Sequence, residues 1–293
     1  MVKIQKNRSL KKLTSFKIGG SAKYFAEPKS EDELIELFKW VEQQDCEIPI
    51  FILGKGSNIL VSDSGWDGIV ISTKHYNKIL WSGSIAICQG GVLLNKLTNE
   101  SMQKGYSDLV SLSGIPGSVG GGVIMNAGAF GSNISDSLVR VKIFDINSSE
   151  IKWIDKKDAE FGYRTSFFKK RENVILEIEF DFKSVEDIKS IENKYNDIIT
   201  KRNNKQPLNL PNCGSVFKRP HNNFAGTLIE GCGLKGLTVN GAQISEKHAN
   251  FIINKSDATA DDVYQLINMI IDRVENKKGI KLSPEVIFVG SFE

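Results

Sequence analysis

Apolar and polar positions alternate or recur along the chain in ways that predict a mixed α/β protein. KYFAEP at 23–28 reads as extended, and IPIFIL at 48–53 is an unbroken apolar run of strand length. Between them Ser30 is followed three residues later by Glu33, a capping-box pair. Leu34, Ile35, Leu37, Phe38 and Val41 then share one helical face. ILV at 59–61 and GIVIST at 68–73 read as further strands. Residues 79–94 alternate weakly, whereas LLNKLTNESMQKG at 93–105 has helical spacing and stops at Gly105. Extended segments at 138–146 and 174–182 flank the aromatic stretch FGYRTSFFKK at 161–170. A helix is predicted over 185–203, with Ser184 as cap and Ile188, Ile191, Tyr195, Ile198 and Ile199 on one face, and the prolines of QPLNLP at 206–211 break it. The most regular pattern is 260–276, where Val263, Leu266, Ile267, Ile270, Ile271 and Val274 form a stripe behind a Thr259 cap. GIKLSPEVIFVG closes the chain as a strand, and no internal repeat is present.

Composition narrows the class. At 293 residues the chain exceeds one ordinary domain, and 40% hydrophobic and 25% charged residues are normal for a globular protein. Against 38 basic stand 35 acidic residues, so neither nucleic acid nor an anionic membrane is an expected partner. The start, MVKIQKNRSLKK, is basic, but no apolar stretch of signal-peptide length follows, and no run approaches a membrane span. Four cysteines, at 46, 88, 213 and 232, form no CxxC pair, which fits a reducing cytoplasm.

Glycine supplies the first candidate chemistry. GKGSN at 54–58 follows a strand and offers closely spaced backbone N–H groups with a lysine, a serine and an asparagine, a set suited to a pyrophosphate. Strand-like ILV follows it, so it is neither a Walker A loop nor a dinucleotide fingerprint, and alone it favours a tight turn. From Ser111 to Ser132 the chain holds seven of its 26 glycines and almost no charge. There the backbone must approach a ligand closely or pack tightly on itself. Metal binding lacks support, because His75, His221 and His248 are far apart without ligand spacing. No GxSxG elbow appears, and Cys213 has no nearby histidine to activate it, so a small packed residue is expected there. Three reactive groups remain among apolar or glycine neighbours: Arg164 in FGYRTSFF, Ser215 in CGSVFK and Glu285 in SPEV. Singly, each has an ordinary structural reading.

Taken in order, TSFKIGG, GKGSN, SGIPGSVGG with MNAGAFG, FGYRTSFF, GSVFK, AGTLIEGCGLKG, GAQISEKHANFIIN and SPEV resemble the UDP-N-acetylenolpyruvoylglucosamine reductase family from about Thr14 to Gly290. The resemblance implies a combined α/β and α+β architecture: a two-subdomain FAD-binding fold of the vanillyl-alcohol-oxidase (PCMH) type at 1–75 and 76–183, then a C-terminal α+β substrate-binding domain at 184–293. It implies FAD held by Gly54, Lys55, Gly56, Ser57 and Asn58 on one side and Pro116, Gly117, Ser118, Gly120, Gly121, Asn126, Ala127 and Gly128 on the other. Arg164, Ser215 and Glu285 match the family's catalytic positions, with Tyr163 and Lys218 beside them, and with Arg164, as substrate contacts. NADPH is the implied co-substrate, a UDP-sugar the substrate, and the enzyme a cytoplasmic, metal-free monomer of peptidoglycan precursor synthesis. Arg219 stands where many members have asparagine. With 51 positions from Arg164 to Ser215, filled by a strand, a helix and a linker, the chain resembles the branch without an inserted substrate-binding tyrosine loop. The rival readings are a flavin oxidase of the same fold, which has no reason to keep GSVFK and SPEV, and a non-catalytic nucleotide-sugar binding module.

Overall fold

The computed structural model describes residues 2–44, 46–170 and 172–292. The chain divides into two compact units, neither continuous in sequence: Met1–Ile4, Ala26–Lys55 and Val70–Arg202 form the first, and Gln5–Phe25, Gly56–Ile69 and Asn203–Glu293 the second. Among the described residues no helix is long and apolar enough to cross a membrane.

The first unit is built on an antiparallel five-stranded sheet in the order Glu150–Asp155, Leu138–Asp145, Asn173–Asp181, Ile85–Gln89, Ile79–Ser82. Side chains alternate across it. Val141 and Ile143 point into a core shared with helix α2 (Leu94–Gln103) and the short helix α3 (Val119–Ile124), while Phe144, on the other face, stacks on Phe38 of helix α1 (Glu31–Glu42) at 4.7 Å. Lys142, also facing α1, ties it to the sheet through Glu31 at 2.6 Å. The Ser30 hydroxyl caps α1 by accepting the amide of Glu33, and the Glu33 carboxylate turns back to the amide of Lys29, one residue before the expected partner. Helix α4 (Ile188–Lys205) begins later than the apolar pattern implies. Ser184 is held instead by Asp108, which accepts both its amide and its hydroxyl, and Asp187 takes over the first turn by accepting the amide of Ser190.

Among the elements not expected from the sequence, two in the first unit bear on the site. Glu150–Asp155 is the edge strand of the sheet, and its mixed polar pattern hides it. Helix α3 has the sequence VGGGVI, poor in intrinsic helix propensity. It forms because Ser118 caps it on the amide of Gly121 at 3.2 Å and because Val119 and Val123 are wholly buried. A Cβ on Gly120 lies only 2.8 Å from the carbonyl of Gly90, and one on Gly122 only 3.2 Å from Ile134. These two glycines serve packing of chain on chain.

In the second unit, the strand residues 5–9, 21–25 and 66–69 lie side by side in that order. A second, antiparallel sheet of Thr238–Val239, Ala242–Ile244 and Ile252–Asn254 packs with helices α5 (Ala225–Gly231) and α6 (Ala260–Lys278). Of the expected C-terminal strand only Ile287–Val289 is regular, and it pairs in parallel with Ile59–Val61. Phe16, Ile18, Leu60, Phe217, Ile252 and the α6 stripe share one core. The Thr259 cap of α6 is complete, with Asp262 returning the bond.

The amide groups that begin α6 need acceptors. Asp63 provides them, accepting from Ala260 at 2.8 Å and from Asp261 at 3.1 Å. Asp63→Ala is expected to lower the unfolding free energy by about 2 kcal/mol, the scale of hydrogen bonds to a charged group, with Asp63→Asn retaining part of it. Urea denaturation of the three proteins measures the difference.

Candidate functional site

The loop 54–58 straddles the division of the chain, and its two ends are built differently. In the first unit a Cβ on Gly54 collides with the hydroxyl of Ser118, so the two glycine-rich loops meet there and a side chain at 54 would displace that hydroxyl. In the second unit Gly56 is left-handed, with φ of 67°, and a Cβ on it collides with the carbonyl oxygen of Leu13. Its own carbonyl accepts the amide of Ser15 at 2.9 Å, which brings the TSFKIGG segment against the loop. Asn58 donates its side-chain amide to the carbonyl of Glu285 at 3.1 Å and accepts the amide of Ile287 on its own carbonyl. Among the described residues, the amides of Lys55, Gly56, Ser57 and Asn58, and separately those of Gly117 and Ser118, donate to no acceptor in the chain. Bare amides of this kind in glycine loops are anion-binding concavities.

The second glycine segment carries polar groups that the protein itself does not satisfy. Ser111 Oγ, Ser113 Oγ and Asn126 Oδ1 are buried without hydrogen-bond partners. So are Nε and Nη2 of Arg202, a residue only 8% exposed whose pKa is lowered by burial. The Arg202 guanidinium lies 5.6 Å from the ring of Phe130, and a Cβ on Gly114 lies 2.9 Å from its Cδ, so the glycine clears room for its stem. An orphaned buried polar group costs roughly 1–3 kcal/mol, and a charged one more, so a set of them marks a surface meant for a polar ligand. Arg202 escaped the sequence reading because it sits in a run of polar residues, KRNNK, at the end of α4. Its burial depends on Phe130 and Gly114, far away in sequence.

Arg164 occupies a strained turn. It is left-handed, with φ of 55°, and with Tyr163 it forms the tip of a tight hairpin closed by Gly162 and Thr165. For a non-glycine residue this conformation costs of order 1–3 kcal/mol and persists only where its surroundings enforce it. Two side chains do so: Asn126 donates to the carbonyl of Gly162 at 3.1 Å, and the buried hydroxyl of Ser166 donates to Ile124 at 2.8 Å. Arg164 Nη2 then donates to the carbonyl of Gly128 at 3.2 Å, and its guanidinium lies 5.1 Å over the ring of Tyr163. Arg164, Tyr163, Asn126 and Gly128 are thus one assembly within the first unit.

Ser215, Lys218 and Glu285 form a second assembly, within the second unit. The carbonyl of Val216 accepts the amide of Glu285 at 2.7 Å, and Lys218 donates its amide to Ser283 at 3.0 Å. Asn250 locks the same stretch from the other side. Its backbone carbonyl and Oδ1 accept the amides of Val216 and Phe217, while Nδ2 returns a bond to the carbonyl of Phe217 at 2.9 Å. Ser215 and Glu285 are both half-buried and 70 positions apart in sequence. Cys213 is fully packed, and burial first, then the nearby Glu285 charge, pushes its thiol pKa up, as expected of a small core residue rather than a nucleophile.

Residues 22–155 match the family described as FAD binding domain, and residues 206–289 match the family described as UDP-N-acetylenolpyruvoylglucosamine reductase, C-terminal domain. The chain is 42% identical to UDP-N-acetylenolpyruvoylglucosamine reductase of Caldicellulosiruptor bescii, covering 100% of this chain and 92% of that one. It is 40% identical to the protein of the same name from Caldanaerobacter subterraneus subsp. tengcongensis, covering 98% and 94%. The crystal structure of UDP-N-acetylenolpyruvylglucosamine reductase from Thermus caldophilus superposes with a TM-score of 0.83 at 29% identity, covering 99% of each chain. The fold is accordingly the FAD-binding fold expected from the sequence, with a C-terminal α+β domain. The orphaned atoms fit that cofactor, whose phosphates take N–H donors and cations and whose heteroaromatic rings carry both donors and acceptors.

Gly56→Ala meets both a positive φ and the Leu13 carbonyl, whereas a Cβ on Gly214, also left-handed at φ of 80°, meets nothing within 4 Å. Gly56→Ala is expected to cost at least about 2 kcal/mol more than Gly214→Ala, because only the first forces the backbone to move. Parallel urea melts of the two variants check this.

Proposed function

Because the chain belongs to the UDP-N-acetylenolpyruvoylglucosamine reductase family, we propose that it reduces UDP-N-acetylglucosamine enolpyruvate to UDP-N-acetylmuramate, with NADPH as the electron source and FAD as the bound cofactor. The observation that supports this most is the bond from the Glu285 amide to the Val216 carbonyl, because it sets a half-buried hydroxyl and a half-buried carboxylate on adjacent backbone.

Gly54 to Asn58 would hold the cofactor's pyrophosphate through their bare amides, with Pro116, Gly117, Ser118, Gly120, Gly121, Asn126, Ala127 and Gly128 as the second wall. Arg202, with Ser111 and Ser113, joins that wall as the cation the sequence did not single out. When bound, FAD would supply two-electron, hydride-level chemistry between NADPH and the substrate. Reduction of the enol ether at its terminal methylene carbon would place negative charge on the carboxyl group attached to the neighbouring carbon.

Arg164 holds that charge. Its strained turn and its bond to Gly128 fix the guanidinium before substrate arrives, which is how electrostatic stabilisation avoids reorganisation cost. Glu285 orients the carboxyl group through a hydrogen bond, and Ser215 Oγ delivers a proton to the carbon beside it. A serine hydroxyl is a weak acid, so it serves only because the carbon it protonates is strongly basic. Lys218 contacts the substrate and stabilises the serine oxygen as its proton leaves.

Separated half-reactions test these roles. In Ser215→Ala, flavin bleaching by NADPH is expected to survive, while return of the yellow colour on adding the enolpyruvyl substrate without oxygen slows by a factor of at least about 100, the scale of a lost general acid. Equal loss of both halves would reject the proton-donor role. Rapid recolouring by air in the wild type would favour a flavin oxidase. Arg202→Met is expected to stabilise the cofactor-free protein by about 1–3 kcal/mol, because an uncompensated buried charge is removed, while weakening FAD binding. Thermal unfolding with and without FAD reads both effects.

A further inference from the structure

Asn250, only 8% exposed, has no part in the reaction proposed above, yet its bonds to the GSVFK segment fall on the two residues that follow Ser215. Its backbone carbonyl accepts the amide of Val216 at 2.8 Å. Its side chain takes both polar groups of Phe217, accepting the amide at 3.0 Å and donating to the carbonyl at 2.9 Å. We propose that Asn250 is a positioning residue for proton transfer: it closes a bulge that aims the Ser215 hydroxyl at the carbon to be protonated. The inference rests on the proton-donor role of Ser215 given above.

The backbone around Ser215 departs from a regular ladder. Asn212 faces Ile253 in an antiparallel bridge, and Asn254 donates its amide to the carbonyl of Pro211 at 2.9 Å. Continued regularly, that pairing would set Ser215 opposite Asn250. Instead Gly214 takes a left-handed φ of 80°, and it is Val216 that meets the Asn250 carbonyl, so four steps of chain from Asn212 stand against three from Ile253. One extra residue on one side of an antiparallel pair re-aims a side chain out of the ladder. Ser215 lies in that extra stretch, half-buried between the packed side chains of Cys213 and Val216.

A bulge gives up regular pairing, so other groups must take the backbone atoms the ladder no longer reaches. The side chain of asparagine is a short amide with an acceptor and a donor side by side. Here it pairs with Phe217 as the next residue of a strand would. The opposite edge is held by the bonds from Glu285 to Val216 and from Lys218 to Ser283, so Asn250 sets where the backbone shared by Ser215 and Glu285 sits between its two neighbours. Asn250 is itself braced: its amide donates to His248 Nδ1 at 3.2 Å, and Ser245 Oγ accepts the amides of Lys247 and His248. Proton delivery requires hydrogen-bond distance, and a misplacement of about 1 Å costs up to about 100-fold in rate. A serine, as a weak acid, has the least driving force to offset such an error.

The test compares FAD-loaded wild type, Asn250→Ala, Asn250→Asp, Ser215→Ala and the double variant Ser215→Ala/Asn250→Ala, with Asn254→Ala as control. Asn254 is equally buried, and its side chain likewise bridges two backbone groups, the carbonyl of Phe16 and the amide of Ala258, each at 3.0 Å. Both half-reactions are followed by flavin colour without oxygen, so only folded, loaded molecules are read. In Asn250→Ala, bleaching by NADPH is expected to stay within about twofold and the Kd of the enolpyruvyl substrate within about threefold, while recolouring at saturating substrate slows about 10- to 100-fold. The solvent deuterium isotope effect on recolouring should rise, because proton delivery becomes the slower event. Asn250→Asp keeps the acceptor and loses the donor, so it should slow recolouring in the same way, and it carries the test where Asn250→Ala yields no loaded protein. Asn254→Ala should lose thermal stability and keep the wild-type recolouring rate. The double variant should be no slower than Ser215→Ala, since the group to be aligned is already gone. Recolouring at the wild-type rate in a loaded Asn250 variant, equal slowing in Asn254→Ala, or full additivity in the double variant overturns the proposal. Recolouring at the wild-type rate in Ser215→Ala rejects the proton-donor role itself, and this inference with it.

Discussion

The bond between the Glu285 amide and the Val216 carbonyl is the constraint on which the GSVFK and SPEV stretches of the second unit depend. It joins two irregular stretches, neither of which has a regular element to hold it. Asn250 satisfies three more backbone groups of the GSVFK segment, and Asn58 fixes the carbonyl of Glu285 from the opposite side. Each of these asparagines does what a sheet would otherwise do, and Ser215 and Glu285 stay only half-buried. Loops that carry chemistry are exposed to such demands because buried backbone must still be hydrogen-bonded.

The first unit meets a different demand. Its glycine-rich segment is charge-poor in sequence, yet it encloses unpaired hydroxyls, an amide oxygen and a guanidinium. Packing accounts for Gly120 and Gly122, which lie against Gly90 and Ile134. It does not account for the polar atoms, which are stable only because the rest of the unit is well packed around them. The same unit stores strain at Arg164 and spends part of the second loop, through Asn126, to enforce it. The second glycine-rich loop and the arginine turn are therefore one mechanical object.

Much of this was readable from the sequence where local chemistry decides the outcome. Ser30 and Thr259 are caps, and the apolar stripes behind them are long enough to fix α1 and α6. Helix α3 was not readable, because its glycines argue against a helix and only burial of Val119 and Val123 overrides them. The late start of α4 turns on Asp108, a residue outside the helix that captures Ser184. The GKGSN loop was recognisable as bare backbone, but its use of Gly54 to touch Ser118 needed coordinates. Arg202 left no local signal. Arg164, Ser215 and Glu285 stood out only through the ordered set of motifs, since composition gives no reason to link positions 215 and 285.

The make-up of the second core has a consequence for biosynthesis. Phe16, Ile18 and Leu60 leave the ribosome early, but the residues they pack against run from Cys213 to Val286. Those early apolar groups stay uncovered while some 150 further residues are added, and α6 must emerge before Asp63 finds its amides. Late closure of distant contacts is slow and leaves sticky surface exposed. Truncation near the C-terminus would thus remove the packing partners of Phe16, Ile18 and Leu60 together with Glu285.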